Sequence, residues 1–175
     1  MMANRVKVSD EERTYAAKAV VPLVTRSLEA QSVGLYYPVR GEFDCLPLLA
    51  ALVALGVETS LPIVTDRHDK LTFHPWKPGE ELEKGEYDIP APYNKGLSIS
   101  PDLLIVPLLG FDANGARLGY GGGYYDRTLE FLRARNEDFE AMGIAYDFQK
   151  LNDLAIEDHD QQLDMVVTPS GLSKF

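Results

Sequence analysis

Apolar and polar residues follow two alternating patterns along the chain, one typical of strands and the other of helices. Runs rich in apolar and β-branched residues predict six strands, over residues 33–39, 57–64, 71–74, 102–111, 141–147 and, as the last, 163–168. Residues 102–111 begin as a near-continuous apolar run, which suits a central strand of a parallel sheet covered on both faces.

Helical patterns lie between these runs. Ser9 followed by Glu12 has the form of a capping box and predicts a helix to about Gln31, which Pro22 should kink or interrupt. A second helix starts near Pro47, because the first turn of a helix tolerates proline, and ends at Gly56. This second helix has little polar surface and should be buried.

A third helix is predicted over residues 128–135, and the turn-rich residues 68–96 predict a long, ordered surface excursion. Helices that alternate with apolar strands favour a three-layer α/β sandwich with a mostly parallel central sheet. A chain of 175 residues is expected to form one domain over residues 1–175.

The composition is that of a globular protein, with 45% apolar and 25% charged residues. Its net charge of −10 disfavours a nucleic-acid or anionic-membrane surface, so an anionic ligand must be met by local cations. The single Cys45 excludes an internal disulfide and predicts a buried thiol. The chain starts without an apolar signal segment and residues 46–55 are too few to span a bilayer, so we expect a cytoplasmic protein.

The candidate chemistry lies in residues 117–126, RLGYGGGYYD, which follow the predicted central strand and lead into a helix. Ligands of open α/β sheets bind beyond the carboxyl ends of the strands. Glycines near a helix N-terminus let a phosphate reach main-chain N–H groups. Glycine clusters also serve simply to permit positive φ angles, so this segment alone leaves both interpretations open.

Two common nucleotide-binding motifs do not fit these residues. A Walker A loop needs Lys followed by Ser or Thr after its last glycine, whereas Tyr124 and Tyr125 follow here. A dinucleotide fingerprint should come directly after its strand, whereas roughly ten loop residues separate Val106 from Gly119.

A longer run around the glycines carries a family resemblance. Residues 110–127, Gly-Phe-Asp-x-x-Gly-x-Arg-Leu-Gly-Tyr-Gly-Gly-Gly-Tyr-Tyr-Asp-Arg, closely resemble the signature segment of the 5-formyltetrahydrofolate cyclo-ligase family, also called methenyltetrahydrofolate synthetases. Residues 36–44, 71–92 and 156–168 resemble the family's early strand, middle excursion and closing acid-rich turn with its strand. The resemblance therefore extends from about Ser9 to Thr168.

The resemblance implies a three-layer α/β sandwich of the NagB/RpiA/CoA-transferase-like type. It implies an enzyme that uses ATP and Mg²⁺ to convert 5-formyltetrahydrofolate to 5,10-methenyltetrahydrofolate, with release of ADP and phosphate through phosphorylation of the formyl oxygen. The chain would be a monomeric, cytoplasmic ligase of one-carbon metabolism that acts on a small molecule, with no nucleic-acid or membrane partner.

The resemblance also implies roles for individual residues. Arg117 and Asp126 would be catalytic: Arg117 would stabilise the developing phosphoryl charge, and Asp126 would bind Mg²⁺. One of Glu157 and Asp158 would face the metal as well. The residues implied in nucleotide binding are Arg117, Gly119, Gly121, Gly122, Gly123, Tyr124 and Tyr125. Those implied in folate binding are Tyr37, Glu42, Tyr120 and Tyr124, where the acceptor-only Glu42 carboxylate matches the donor edge of the pterin.

Some of these residues keep a plainer alternative. Asp126 could be a helix N-terminal acid that stabilises the dipole, and Tyr125 could pack under the loop. Arg127 is expected to pair with nearby acids rather than to bind ATP. Trp76 could wall the folate site or pack at an edge, and the three histidines have no metal-ligand spacing.

Two departures from the family pattern leave other functions open. The family's N-terminal helix with a Lys-x-x-Leu-Arg pattern is not visible before Ser9, and Arg5 and Lys7 do not reproduce its spacing, so they receive no ATP-binding role. Ala91 stands where the family often has an acid or an amide. The main alternative is a non-catalytic folate-binding or regulatory protein that has lost nucleotide activation, and a sugar-phosphate enzyme on a similar scaffold is a more distant one.

Overall fold

Seven strands form the central sheet of the computed structural model, which describes residues 5–26, 28–93 and 96–175. In chain order the strands are β1 (Ser32–Gly34), β2 (Glu58–Ile63), β3 (Thr72–Pro75), β4 (Leu82–Lys84), β5 (Pro90–Pro92), β6 (Leu103–Val106), β7 (Gly110–Phe111), β8 (Arg117–Leu118), β9 (Glu140–Ile144), β10 (Met165–Thr168) and β11 (Gly171–Lys174). The central sheet has the order β11-β10-β9-β6-β1-β2-β3, and β4 pairs with β5 and β7 with β8 in two small sheets.

The inner strands of the central sheet are parallel. β1 pairs in parallel with β2 and β6, and β9 pairs in parallel with β6 and β10. The edge strands β3 and β11 are antiparallel to their neighbours. This topology confirms the mostly parallel sheet that the sequence predicts.

The longer helices of the described residues cover the two faces of the sheet: α1 (Asp10–Thr25), α2 (Leu46–Ala54) and α3 (Tyr124–Arg133). Two short 3₁₀ turns lie at Glu86–Asp88 and Asp147–Gln149. Leu103 and Ile105 of β6 lie in the same apolar core as α1 and α2, whereas Leu104 and Val106 lie in the core that includes α3. Because strand side chains alternate between faces, β6 separates two cores, and the fold is the expected three-layer sandwich.

The order in which strands are added reverses at β1. β2 lies on one side of β1, whereas β6, β9 and β10 follow one another on the other side. The carboxyl ends of β1 and β6 therefore border the crevice in which open α/β sheets bind ligands. Residues 35–45 leave β1 at this edge, and residues 107–123 leave β6 there.

Two elements near the N-terminus are shorter than their patterns predict. The first helix ends at Thr25 rather than near Gln31, and it continues through Pro22, whose carbonyl accepts from Arg26 N at 3.3 Å. The predicted strand 33–39 is reduced to Ser32–Gly34, because the chain leaves the sheet after Leu35 donates its N–H to Ser60 O. Residues 36–39 are thereby released into the loop at the crevice.

Later boundaries differ as well. β6 ends at Val106, and Pro107 cannot donate to a ladder, so Gly110–Phe111 pairs with β8 instead of extending β6. α3 begins before residue 128, at Tyr124, and 163–168 is not the last strand, because β11 folds back on β10.

The second helix was predicted to be buried, and only one face of it is. Its proline lies in the first turn and Gly56 follows its end with a φ of +81°, as predicted. The buried residues are Leu48, Leu49 and Leu52, whereas Leu55 at the C-cap is largely exposed. The apolar pattern did not distinguish the two faces, because its outer residues are apolar too.

Cys45 is fully buried, as predicted, and its S–H donates to Tyr36 O at 3.1 Å. Burial raises the pKa of this thiol to about 12, so it remains protonated and unreactive at neutral pH. Among the helices that the structure describes, none combines the length and the apolar character that a membrane crossing needs.

The capping box of α1 generates a stability prediction. Ser9 Oγ accepts from Glu12 N at 3.2 Å, and Glu12 Oε2 accepts from Ser9 N at 2.8 Å. We expect Ser9→Ala to lower the free energy of unfolding in urea by about 1 kcal/mol, because the cap is lost. Lys18→Gln, an exposed change on the same helix, should alter it by less than about 0.5 kcal/mol. Equal effects of the two changes would contradict a stabilising role for the cap.

Candidate active site

The glycine loop, residues 119–123, connects β8 to α3. Gly121 and Gly123 have φ angles of +82° and +65°, in the left-handed region that favours glycine. At Gly123 a Cβ would also lie 2.6 Å from Arg127 Nη1. The backbone conformation therefore explains these two glycines without any ligand.

Gly119 has no such internal explanation. Its φ is not positive, and a Cβ built there would meet no atom within 4 Å. A Cβ at Gly121 would likewise meet nothing within 4 Å, so the loop faces open space. Contacts within the described chain therefore give no reason for glycine at position 119.

The N-terminus of α3 lies directly after this loop and has no side-chain cap, since its N-cap residue is Gly123. The first N–H groups of a helix have no partner within the helix, and the helix dipole is positive there. Uncapped N–H groups beside open space form an anion-binding arrangement.

The hairpin that leads into the loop is held by Asp112, which is buried. Its Oδ1 accepts from Asn114 N at 2.8 Å and Ala116 N at 3.1 Å, and its Oδ2 accepts from Leu154 N at 3.2 Å. Gly115 has a φ of +81° and packs so closely that a Cβ would lie 2.6 Å from Leu163 O. These motif residues therefore build the turn between β7 and β8 rather than touch a ligand.

An ion pair joins the start of the loop to the first turn of α3. Arg117 Nη2 lies 2.6 Å from Asp126 Oδ1, with side-chain exposures of 5% and 18%. Asp126 Oδ1 also accepts from Gln161 N at 3.1 Å, and Arg117 Nη1 donates to Gln161 O. Among the described residues no hydrogen bond reaches Asp126 Oδ2, so one carboxylate oxygen remains available.

The acid-rich turn after residue 156 meets the ion pair through Gln161 and not through its first two acids. Glu157 and Asp158 are exposed, and Glu157 N donates to Asp160 Oδ2 at 2.8 Å. In residues 5–26, 28–93 and 96–175, no three or more metal-binding side chains form a group that could hold an ion. Asp126 is thus the predicted metal ligand that lies beside the loop, and no hydrogen bond or ion pair among the described residues joins it to Glu157 or Asp158.

The folate residues implied by the resemblance lie on the loops after β1 and β8. Tyr37 is half-buried against the core of α1 and α2, and Glu42 closes a turn by accepting from Val39 N at 3.0 Å. Tyr120 is 42% exposed. Burial and then the Glu42 carboxylate raise the pKa of the Tyr120 hydroxyl, and Arg5 opposes this shift. Glu42 and Tyr120 are therefore neighbours across the crevice.

The excursion over residues 68–93 approaches the other side of the loop. Tyr87, with a φ of +58°, places its hydroxyl 2.9 Å from that of Tyr124. Arg127 donates to Asp69 O at 3.0 Å and Gly122 O at 3.1 Å, and its guanidinium lies 5.1 Å from the Tyr124 ring centroid. Arg127 was expected to pair with acids, and its partners are instead backbone carbonyls, which need no second charge.

Two of the residues with a plainer alternative lie in or against the cores. Tyr125 is half-buried against the core that includes α3, and burial raises its hydroxyl pKa well above the ordinary value. Trp76 is buried in the other core and donates its Nε1–H to Glu80 O at 3.2 Å. The sequence patterns gave no role to Tyr87 or Arg5, because an exposed turn residue and an isolated arginine carry no motif of their own.

The fold and the loop define an α/β sandwich protein with a glycine-rich loop at the carboxyl edge of its sheet. Residues 1–169 match the sequence model of the 5-formyltetrahydrofolate cyclo-ligase family, and the chain belongs to this family. This finding confirms the resemblance read from the glycine segment.

Relatives of the chain carry the same name. It is similar to the 5-formyltetrahydrofolate cyclo-ligase of Escherichia coli strain K12, with 35% identity over 173 residues that cover 95% of this chain and 94% of that protein. The corresponding protein of Mycolicibacterium smegmatis is 30% identical over 179 residues, which cover 97% and 90% of the two chains.

Solved structures support the fold. The 5,10-methenyltetrahydrofolate synthetase of Aquifex aeolicus superposes with a TM-score of 0.80 at 29% identity, over 99% of this chain and 88% of that one. The synthetase of Mycoplasma pneumoniae gives a TM-score of 0.71 at 24% identity, over 96% and 93%.

The two kinds of loop glycine should respond differently to alanine. Gly119→Ala should change the free energy of unfolding by less than about 0.5 kcal/mol, because the methyl group enters open space. Gly123→Ala should lower it by about 1–2 kcal/mol, because a left-handed residue acquires a Cβ. Urea unfolding of both variants checks this, and a destabilising Gly119→Ala would show that the glycine serves folding.

Proposed function

We propose that the protein is an ATP-dependent ligase that closes 5-formyltetrahydrofolate to 5,10-methenyltetrahydrofolate and releases ADP and phosphate. The observation that carries the proposal is the open space over Gly119 and Gly121 beside the uncapped N-terminus of α3, in a chain of the cyclo-ligase family. The proposal includes a monomeric, cytoplasmic protein without nucleic-acid or membrane partners, in accord with the net charge of −10.

The reaction needs a nucleotide because the formyl oxygen of an N-formyl group is a poor leaving group and its carbon a poor electrophile. The formyl oxygen attacks the γ-phosphorus and ADP departs. The neighbouring side-chain nitrogen then attacks the activated carbon and loses its proton, and the C–O bond breaks to release phosphate. Positioning and charge stabilisation suffice for these steps, and no nucleophile of the protein is required.

The residues around the loop fit the phosphate half of the reaction. N–H groups of Gly119, Gly121, Gly122 and Gly123 would meet phosphate oxygens, since Gly119 and Gly121 present no side chain to that space. Arg117 would supply a permanent planar cation, already oriented by Asp126 and Gln161. Tyr124 and Tyr125 would flank this end of the nucleotide.

Magnesium fits one carboxylate here, because Mg²⁺ commonly binds one or two carboxylates together with phosphates and water. Asp126 Oδ2 is free to hold it while Oδ1 keeps Arg117 in place. Mg²⁺ would supply charge neutralisation between the phosphates. Glu157 or Asp158 of the exposed acidic turn would be the second carboxylate.

The folate half would lie across the crevice. Glu42 would accept hydrogen bonds from the pterin, whereas Tyr37, Tyr120 and Tyr124 would offer aromatic faces to its rings. Glu42 and Tyr120 lie next to each other, so one ring could contact both. The formyl group would then point toward the glycine loop.

A non-catalytic folate-binding protein is the second candidate. The observation that favours it is the Arg117–Asp126 pair, in which the two groups that the reaction would use are already bonded to each other. Such a protein would bind 5-formyltetrahydrofolate without consuming ATP.

The first test combines the purified protein with MgATP and 5-formyltetrahydrofolate and follows the absorbance of the methenyl product. We expect product only when ATP is present, with one ADP formed for each methenyl group. Gly119→Ala, which should fold normally, should raise the KM for ATP because its methyl group fills the phosphate space. Folate binding without turnover would support the second candidate instead, and product formed without ATP would refute the proposal.

A second test separates the two oxygens of Asp126. Asp126→Asn keeps a hydrogen-bond acceptor near Arg117 but removes the negative charge, so we expect turnover to fall by about 100-fold or more while the Kd for folate stays within about twofold. Asp126→Ala is less informative, because it leaves Arg117 buried and unpaired. Glu11→Gln, an exposed acid of α1, serves as the control. Turnover by Asp126→Asn at the wild-type rate would remove the magnesium assignment.

A further inference from the structure

Arg5 is a buried arginine that the reaction as described does not use. Its residue exposure is 1%, so it is among the largest fully buried side chains of the described chain. Burial of a charge is costly unless polar groups replace its water. None of the ion pairs among the described residues involves Arg5, so backbone carbonyls must provide its compensation.

The partners of Arg5 belong to two different loops. Nη1 donates to Leu108 O at 3.3 Å, and Nη2 donates to Arg40 O at 3.3 Å. Leu108 follows β6, whereas Arg40 follows β1, and these are the two strands whose carboxyl ends border the crevice. One guanidinium therefore bridges the crevice from wall to wall.

The same guanidinium lies beside one proposed folate contact and is bonded to the turn that carries the other. Its Cζ is 5.5 Å from the centroid of the Tyr120 ring. Arg40 is in the turn that carries Glu42. The φ angles of this turn are +51° at Arg40 and +72° at Gly41, and the Glu42 carboxylate closes it by accepting from Val39 N. Loss of the Arg5 side chain would thus remove a contact from both the Glu42 turn and Tyr120.

Arg5 is itself held from α1. Arg13 Nη2 donates to Arg5 O at 2.6 Å, and Arg13 Nε donates to Val8 O at 3.1 Å. The backbone of the N-terminal segment is therefore tied to the first turns of the helix. Arg5 Nε, by contrast, is buried and has no hydrogen-bond partner, a cost that a purely structural side chain would be expected to avoid.

We propose that Arg5 is a positioning residue for the folate: by bridging the loops after β1 and β6, it sets the separation of Glu42 and Tyr120 to fit the pterin. It touches neither the reacting atoms nor the phosphates. This inference rests on the proposed function in one respect, since Glu42 and Tyr120 must be the folate contacts.

The placement predicts an effect on one substrate and not on the other. Arg5 approaches the glycine loop through the Tyr120 side chain. The backbone around that loop is held by Asp112, Arg117 and Arg127, none of which bonds to Arg5, so the nucleotide half should survive the loss of Arg5. The Glu42 turn is bonded across the crevice by Arg5, so the folate half should be weakened when Arg5 is lost. A merely structural residue would weaken both halves together as the protein lost stability.

The experiment compares Arg5→Met, Arg5→Lys and the cap variant Ser9→Ala in the full-length protein. For Arg5→Met we expect the KM for 5-formyltetrahydrofolate, and its Kd without ATP by calorimetry, to rise about tenfold or more, with the KM for ATP within about twofold. Arg5→Lys restores the cation but one ammonium cannot span both carbonyls, so it should recover part of the affinity. Ser9→Ala destabilises the same segment and should leave both KM values unchanged.

A double-mutant cycle tests the route of the effect. In a Tyr120→Ala background, Arg5→Met should raise the folate Kd by clearly less than it does alone, because one of the two groups it positions is gone. Additive effects, or a folate Kd unchanged in Arg5→Met, would overturn the inference, as would equal rises in both KM values.

If Arg5→Met does not fold, Arg5→Lys provides the test instead. For Arg5→Lys we expect a selective rise in the folate KM of at least about threefold. Wild-type protein that binds folate without turnover would refute the ligase function alone, whereas wild-type protein that binds no folate would refute both.

Discussion

The partly buried ion pair between Arg117 and Asp126 is the interaction on which the site depends. It joins β8, the first turn of α3 and, through Gln161, the turn before β10. Removal of one partner of a buried pair typically costs about 3–5 kcal/mol, because the other charge is left without compensation. The loop between the two residues therefore has fixed ends, and its glycines need only supply the turn between them.

Fixed ends matter because phosphoryl transfer is accelerated by groups that are already in place. A cation that must reorganise during the reaction gives back part of its electrostatic benefit, whereas an oriented one does not. Arg117 is oriented by a carboxylate that still has one free oxygen, so the acid can hold the arginine and remain open to a metal. For this reason the pair is compatible with catalysis. It also gives each of the two side chains a partner when no ligand is bound.

The sequence predicted the architecture better than the contacts. Apolar strands alternating with helices were enough for the three-layer sandwich, and the capping box at Ser9 and the long motif of residues 110–127 were read directly. The strand ends were not predicted correctly, because the end of β6 before Pro107 and the end of β1 near Leu35 depend on which strands pair in the folded chain. The open space over Gly119 and the burial of Arg5 were also out of reach, since only the folded chain shows what surrounds a position.

Two buried arginines resolve a conflict between the overall charge and the proposed chemistry. A protein with a net charge of −10 repels anions at long range, and both proposed substrates are anionic. Screening confines that repulsion to about 10 Å at ordinary salt, whereas a cation in a poorly hydrated pocket acts strongly at short range. Arg117 provides such a cation beside the glycine loop, and Arg5 provides another behind Tyr120. The acidic surface is thus compatible with the proposed anion binding, because both guanidinium groups lie within the crevice region rather than on the outer surface.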